Sequence, residues 1–168
     1  MTQINVKISP SVFNAVYRPW LDDDARVQIR FGGSSSGKSV FLAQRVVILL
    51  LRGGHNFLIC RQGARTVRRS VMQEVIKVIN TWGMGTEFKI QYQDGVITCR
   101  NGFQAVFIGL DDVEKVKSIT AAKGVFTDIW VEEATETDRK TIKQLMKRQR
   151  GGSEKTRKTI TLSLNQIL

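Results

Sequence analysis

The chain has 168 residues, 42% of them hydrophobic, and carries 26 Lys and Arg against 15 Asp and Glu, a formal charge of +11. That length and mixture suit one domain around a single core and exclude wholesale disorder. The longest apolar run, residues 46–51, is far below the ~20 residues of a membrane span, and the N-terminus lacks a secretory pattern. Two cysteines and one histidine give neither a disulfide framework nor a four-ligand zinc site, so a soluble, reduced, cytoplasmic protein is expected.

In chain order, residues 1–25 read as an N-terminal arm containing Phe13, Tyr17 and Trp20. Residues 26–31 read as a strand, the glycine and serine stretch 32–37 as a loop, and residues 38–52 as a helix stopped by Gly53 and Gly54. Residues 56–61 suit a buried strand. Val67, Val71, Val75, Val78 and Trp82 recur at steps of three and four, which predicts a helix over 66–82. Residues 87–92 and 96–99 predict a hairpin through Asp94 and Gly95, followed by a strand over 105–110 and a short helix opened by Asp111. The apolar run 125–131 predicts another strand, residues 137–150 a basic helix, and 159–164 a last strand. Strands alternating with helices argue for an α/β layer fold with a mainly parallel sheet.

The charge is clustered. Residues 139–158 hold nine Lys or Arg, Arg139 and Arg148 among them, against Glu154 alone; Arg61, Arg65, Arg68 and Arg69 form a smaller group. Such clusters favour a polyanion, nucleic acid being the commonest, or form a solvated helix face.

Gly32, Gly33, Ser34, Ser35, Ser36, Gly37, Lys38 and Ser39 fit G-x-x-x-x-G-K-[ST] at every position, between a strand and a helix. Gly32 and Gly37 permit the backbone angles that turn successive N–H groups toward phosphates, and the following helix points its positive end at the same anion. Lys38 supplies a charge for the β- and γ-phosphates of ATP, and the Ser39 hydroxyl a ligand for Mg²⁺. With the alternating elements, this loop predicts the three-layer sandwich of P-loop NTPases (RecA-like, ASCE type) over residues 26–168. Such a site also needs carboxylates at a neighbouring strand end. Glu132, after the apolar run, is assigned to the metal and Glu133 to the attacking water; Asp128 competes for the metal role but would interrupt the strand.

The phosphate loop, the segment Ile59-Cys60-Arg61-Gln62, the run Trp130-Val131-Glu132-Glu133-Ala134 and Ser163-Leu164-Asn165 together resemble the ATPase domain of the large terminase subunit of tailed bacteriophages. The resemblance implies a Mg-dependent ATPase that drives double-stranded DNA into capsids. It also implies a homo-oligomeric ring on a capsid portal, with a small terminase subunit, in the host cytoplasm. It makes Glu133 the catalytic carboxylate and Ser163 and Asn165 the residues that couple phosphate loss to movement. Related ATPases often place adenine near the segment before the first strand, so Phe13, Tyr17 and Trp20 either stack on the base or pack on the core.

Three departures accompany the resemblance. Many such proteins carry an arginine inside the phosphate loop where this chain has Ser34, Ser35 and Ser36. The missing cation must then come from elsewhere, a neighbouring subunit included, with Arg61, Arg139 and Arg148 as candidates for contacts with phosphate or DNA. Asn165 is followed by Gln166-Ile167-Leu168 rather than proline. No acidic cluster at nuclease spacing is present, so no nuclease activity is expected. Two other readings stand beside the motor domain: a truncated, binding-only remnant and a helicase-type P-loop ATPase.

Overall fold

Short apolar runs alternating with amphipathic stretches build a single seven-stranded sheet in the computed structural model, which describes residues 4–111 and 113–165. The strands are β1 (Val27–Gly32), β2 (Phe57–Arg61), β3 (Phe88–Gln91), β4 (Val96–Cys99), β5 (Gln104–Gly109), β6 (Asp128–Val131) and β7 (Thr159–Asn165). Their order is β1-β7-β6-β2-β5-β4-β3. β1, β7, β6, β2 and β5 are parallel, and the hairpin β3–β4 adds antiparallel to β5.

Helices cover both faces because side chains alternate along each central strand. Phe57 and Ile59 of β2, Phe107 of β5 and Trp130 of β6 join one core with α1 (Lys38–Arg52) and the segment 64–81. Leu58, Cys60, Ile108, Ile129 and Val131 join the other, under α4 (Val113–Ser118) and α5 (Arg139–Lys147), which contribute Val116 and Leu145. Both layers and the parallel sheet are as the sequence leads one to expect. At the edge, β1 leaves Val27, Ile29 and Phe31 exposed.

The arm packs on α1. Buried Arg45 donates to the carbonyls of Leu21 and Asp23, Gln44 donates to that of Val12, and Phe13 meets Trp82 edge-on. Phe13 is thus a core residue, while Trp20 lies under the Arg30 guanidinium.

Three stretches differ from expectation. The single helix over 66–82 is instead α2 (Ala64–Val67), a wider π turn over Arg68–Met72, and α3 (Gln73–Thr81). There the Ser70 hydroxyl donates to the Thr66 carbonyl one turn back (2.7 Å) and also accepts from Arg61, and such back-bonding distorts helices. β6 starts at Asp128 rather than 125, because the Asn56 side chain ties the carbonyls of Lys123 and Val125 into a loop. α5 ends at Lys147, just before buried Gln149, whose amide donates to the carbonyls of Thr127 and Thr159.

Gly109 fixes the start of α2. A β-carbon there would lie 2.2 Å from the Ala64 nitrogen, so only glycine lets the end of β5 approach that backbone so closely.

Candidate active site

Parallel order brings the carboxyl ends of β1, β7, β6 and β2 to one edge of the sheet, where α/β folds hold their ligands. β1 runs into residues 32–37, and Gly37 adopts φ 79° before α1 begins. The Lys38 ammonium is buried and bonded to the carbonyls of Gly32 (3.0 Å) and Gly33 (3.0 Å), the Ser36 hydroxyl (3.3 Å) and Asn165 Oδ1 (3.0 Å). These are oxygens that phosphate oxygens would replace. Tyr17 braces the loop from outside. Its hydroxyl donates to the Ser36 carbonyl at 2.8 Å while its ring stacks on Phe41 with centroids 4.9 Å apart. Tyr17 thus supports the loop through its hydroxyl, a role its place in an aromatic arm does not announce.

At the end of β6, Glu132 Oε1 accepts from the Ser39 hydroxyl at 2.8 Å. Its other oxygen accepts from the Trp130 indole N–H at 3.1 Å and from the Ser163 hydroxyl. Trp130 is therefore a positioning residue as well as a core residue, legible in sequence only as part of an apolar run. Ser39 and Glu132 face each other with hard oxygen donors, the chemistry Mg²⁺ prefers.

Glu133 is the one non-glycine residue with positive φ among those described, at φ 50° and ψ 54°. Left-handed backbone is disfavoured for a residue with a β-carbon by about 1–2 kcal/mol, and such strain gathers at working sites. Its carboxylate pairs with Arg61 Nη2 at 2.5 Å and accepts from Asn165 Nδ2 at 3.1 Å. Asn165 thus bridges Lys38 and Glu133, and Ser163 touches Glu132. Every strand-end residue singled out in the sequence meets the loop or its partners; Gln166, Ile167 and Leu168 lie outside the described residues.

The candidate arginines separate. Arg61 sits in the site, with its charge already met by Glu133. Arg139 is exposed at the start of α5. Arg148 caps that helix and donates to the Lys117 carbonyl, next to Gln149 at the amino ends of β6 and β7, away from the loop. Asp128 is likewise at the amino end of β6, bonded to His55 (2.8 Å), Thr127 (2.6 Å) and Thr159 (2.9 Å). It has no access to a metal beside Ser39, and His55 is its hydrogen-bond partner rather than a bare turn residue.

A cleft of about 330 Å³ opens at this edge, walled on one side by Ser34, Lys38, Ser39 and Glu132 and on the other by Arg69, Ser70, Gln73, Glu74 and Lys77. A larger cavity, about 420 Å³, lies between arm and α1 and is lined mainly by Ile4, Val6, Ile8, Phe13, Ile48 and Leu51. Arg18 and Arg52 are its charged lining residues, and it offers no carboxylate, histidine or phosphate-binding loop, so chemistry rather than volume locates the site. Among the described residues no helix is long and apolar enough to cross a membrane.

Comparison with known proteins agrees with the geometry. The terminase large subunit of Bacillus phage SPP1 is 32% identical over 106 residues, covering 62% of this chain and 25% of that protein. The N-terminal domain of the DNA packaging ATPase of bacteriophage phi29 superposes with a TM-score of 0.69 at 16% identity, covering 92% of this chain and 79% of that one. The large terminase of a thermophilic bacteriophage, in complex with ADP, gives 0.63 at 14%, covering 89% and 36%. This chain spans about a quarter to a third of the length of the curated relatives it matches. The family described as phage terminase large subunit matches residues 14–167, nearly the whole chain, and the chain belongs to that family.

Proposed function

We propose that the cleft binds ATP with Mg²⁺ and hydrolyses it, and that this chain is the ATPase motor domain of a terminase large subunit that packages double-stranded DNA into capsids. The observation that carries the proposal is the 2.8 Å hydrogen bond from Ser39 to Glu132, with Glu133 next in sequence. It joins phosphate loop and strand-end carboxylates into one site. The phi29 relative, a DNA packaging ATPase, and the thermophilic phage's large terminase, solved with ADP, point the same way. A homo-oligomeric ring on a capsid portal, with a small terminase subunit in the host cytoplasm, is the setting such a motor requires. No DNA cutting is proposed for these residues.

Lys38 and the N–H groups of Gly33 to Gly37 bind the phosphates, and Lys38 exchanges its present oxygens for those of the nucleotide. Ser39 and Glu132 would hold Mg²⁺, which neutralises charge on the phosphates. Glu133 orients a water in line with the γ-phosphorus and accepts its proton as the new P–O bond forms and the bond to the ADP oxygen breaks. Arg61 and Asn165 each donate to one oxygen of Glu133, and the remaining lone pairs of that carboxylate are free to accept from the water. Asn165 also touches Lys38, so phosphate on one side and the catalytic carboxylate on the other meet in one side chain of β7. Turnover by purified protein tests the reading. Glu133→Gln should abolish it while ATP still binds, and unchanged turnover would contradict the assignment.

A further inference from the structure

The loop wall of the cleft has one cation, Lys38. The terminal phosphate carries its charge spread over three outer oxygens, and one ammonium on the loop wall leaves part of that charge unmet. Ser34, Ser35 and Ser36 supply no positive group, and Arg61 is neutralised by Glu133 at 2.5 Å.

The opposite wall presents Arg69, Gln73 and Lys77 at successive four-residue steps, with Ser70 and Glu74 between them, so one helical face looks across at Lys38 and Ser39. Of its two cations, Lys77 is paired with Glu74 at 2.9 Å. Arg69 is exposed and has no hydrogen-bond or ion-pair partner among the described residues. It stands in the π turn over Arg68–Met72, and such turns within α-helices are frequent at functional sites. The wall itself is anchored: Gly109 admits the Ala64 backbone at its start, and Val67, Val71, Met72 and Val75 are buried beneath it. An unpaired guanidinium is thus carried into an anion-binding cleft by a backbone that is fixed.

We infer that Arg69 contacts the terminal phosphate of the bound nucleotide, supplied within this chain from the helical wall facing the phosphate loop. A planar guanidinium presents paired N–H groups in a fixed fork that matches two oxygens of that group, a geometry that the point charge of an ammonium lacks. The inference rests on the nucleotide-binding reading above and adds to it which residue recognises the third phosphate.

Titration calorimetry with Mg²⁺ and either ADP or ATPγS separates the two. Arg69→Ala should weaken ATPγS binding by about tenfold or more, the scale of a hydrogen bond to a charged group, and leave ADP binding within about twofold. Arg69→Lys should recover part of the ATPγS affinity. Arg65→Ala, on the same segment but outside the cleft, should change neither. Unaltered ADP binding also shows that the variant is folded. Equal losses for the two nucleotides, or no loss for ATPγS, would overturn the inference while the nucleotide site stands. A wild-type chain that binds neither nucleotide would overturn the site and this inference together.

Discussion

The two ends of β6 carry acids that look alike in sequence and differ in what surrounds them. At the amino end, Asp128 is 3% exposed and held by the uncharged hydroxyls of Thr127 and Thr159 together with His55. These are partners within the fold that no ligand replaces. At the carboxyl end, Glu132 lines the cleft, held by Ser39 as well as by buried Trp130 and Ser163, and Glu133 beside it is held by Arg61 and Asn165; Ser39, Arg61 and Asn165 are groups that a nucleotide or metal would itself engage. Glu133 is also held in left-handed backbone. An acid whose partners are fixed in the core stabilises the fold, whereas one whose partners compete with a ligand is placed to work.

Substitutions at the two ends should therefore separate activity from stability. The largest effect expected is on turnover. Glu133→Gln should lower it by about 10²–10⁴-fold, the share of a general base, with the unfolding temperature and ATP affinity close to wild type. Asp128→Asn should do the reverse. It replaces a carboxylate by an amide whose N–H groups face other donors, so unfolding free energy should fall by about 1–3 kcal/mol in denaturant titration, with nucleotide affinity preserved.

The acid limb of stability sharpens the contrast. Burial alone would raise the Asp128 carboxyl, but hydrogen bonds from His55 and Thr127 and the charges of His55 and Arg45 outweigh it and hold it below the ordinary carboxylate range. Its contribution is then complete above the unfolded value near ~4 and is lost as pH falls through the lower folded value. Stability measured from pH 6 downward should show this loss in wild type, and Asp128→Asn should flatten it. The smallest effect is expected at Tyr17, whose hydroxyl holds the Ser36 carbonyl at 2.8 Å. Tyr17→Phe should cost about 0.5–1.5 kcal/mol and weaken nucleotide binding severalfold.

How legible the molecule is in its sequence follows the range of the interactions involved. The loop from Gly32 to Ser39 and the helix behind it are set by local backbone demands, and α1 runs over Lys38–Arg52 as the pattern predicts. Strand alternation likewise gives the layers and the site of Glu132 and Glu133. What escapes is set by partners far along the chain. Asp128 finds His55, 73 residues away, and so starts a strand it was expected to interrupt. Tyr17 braces a loop 19 residues on. Arg69 is one of four arginines in a basic cluster until the fold places it, and not Arg65 or Arg68, in the wall of the cleft.

The central claim, that residues 32–39 form a working phosphate site closed by Glu132, is tested most directly by the shift of unfolding temperature with Mg·ATP in wild type and in Lys38→Ala. A ligand that binds only the folded state must stabilise it, by about 2.7 kcal/mol at a hundred times its dissociation constant. The account predicts a rise in wild type that disappears in Lys38→Ala while the ligand-free unfolding temperatures stay close. An equal rise in both, or none in wild type, would contradict it.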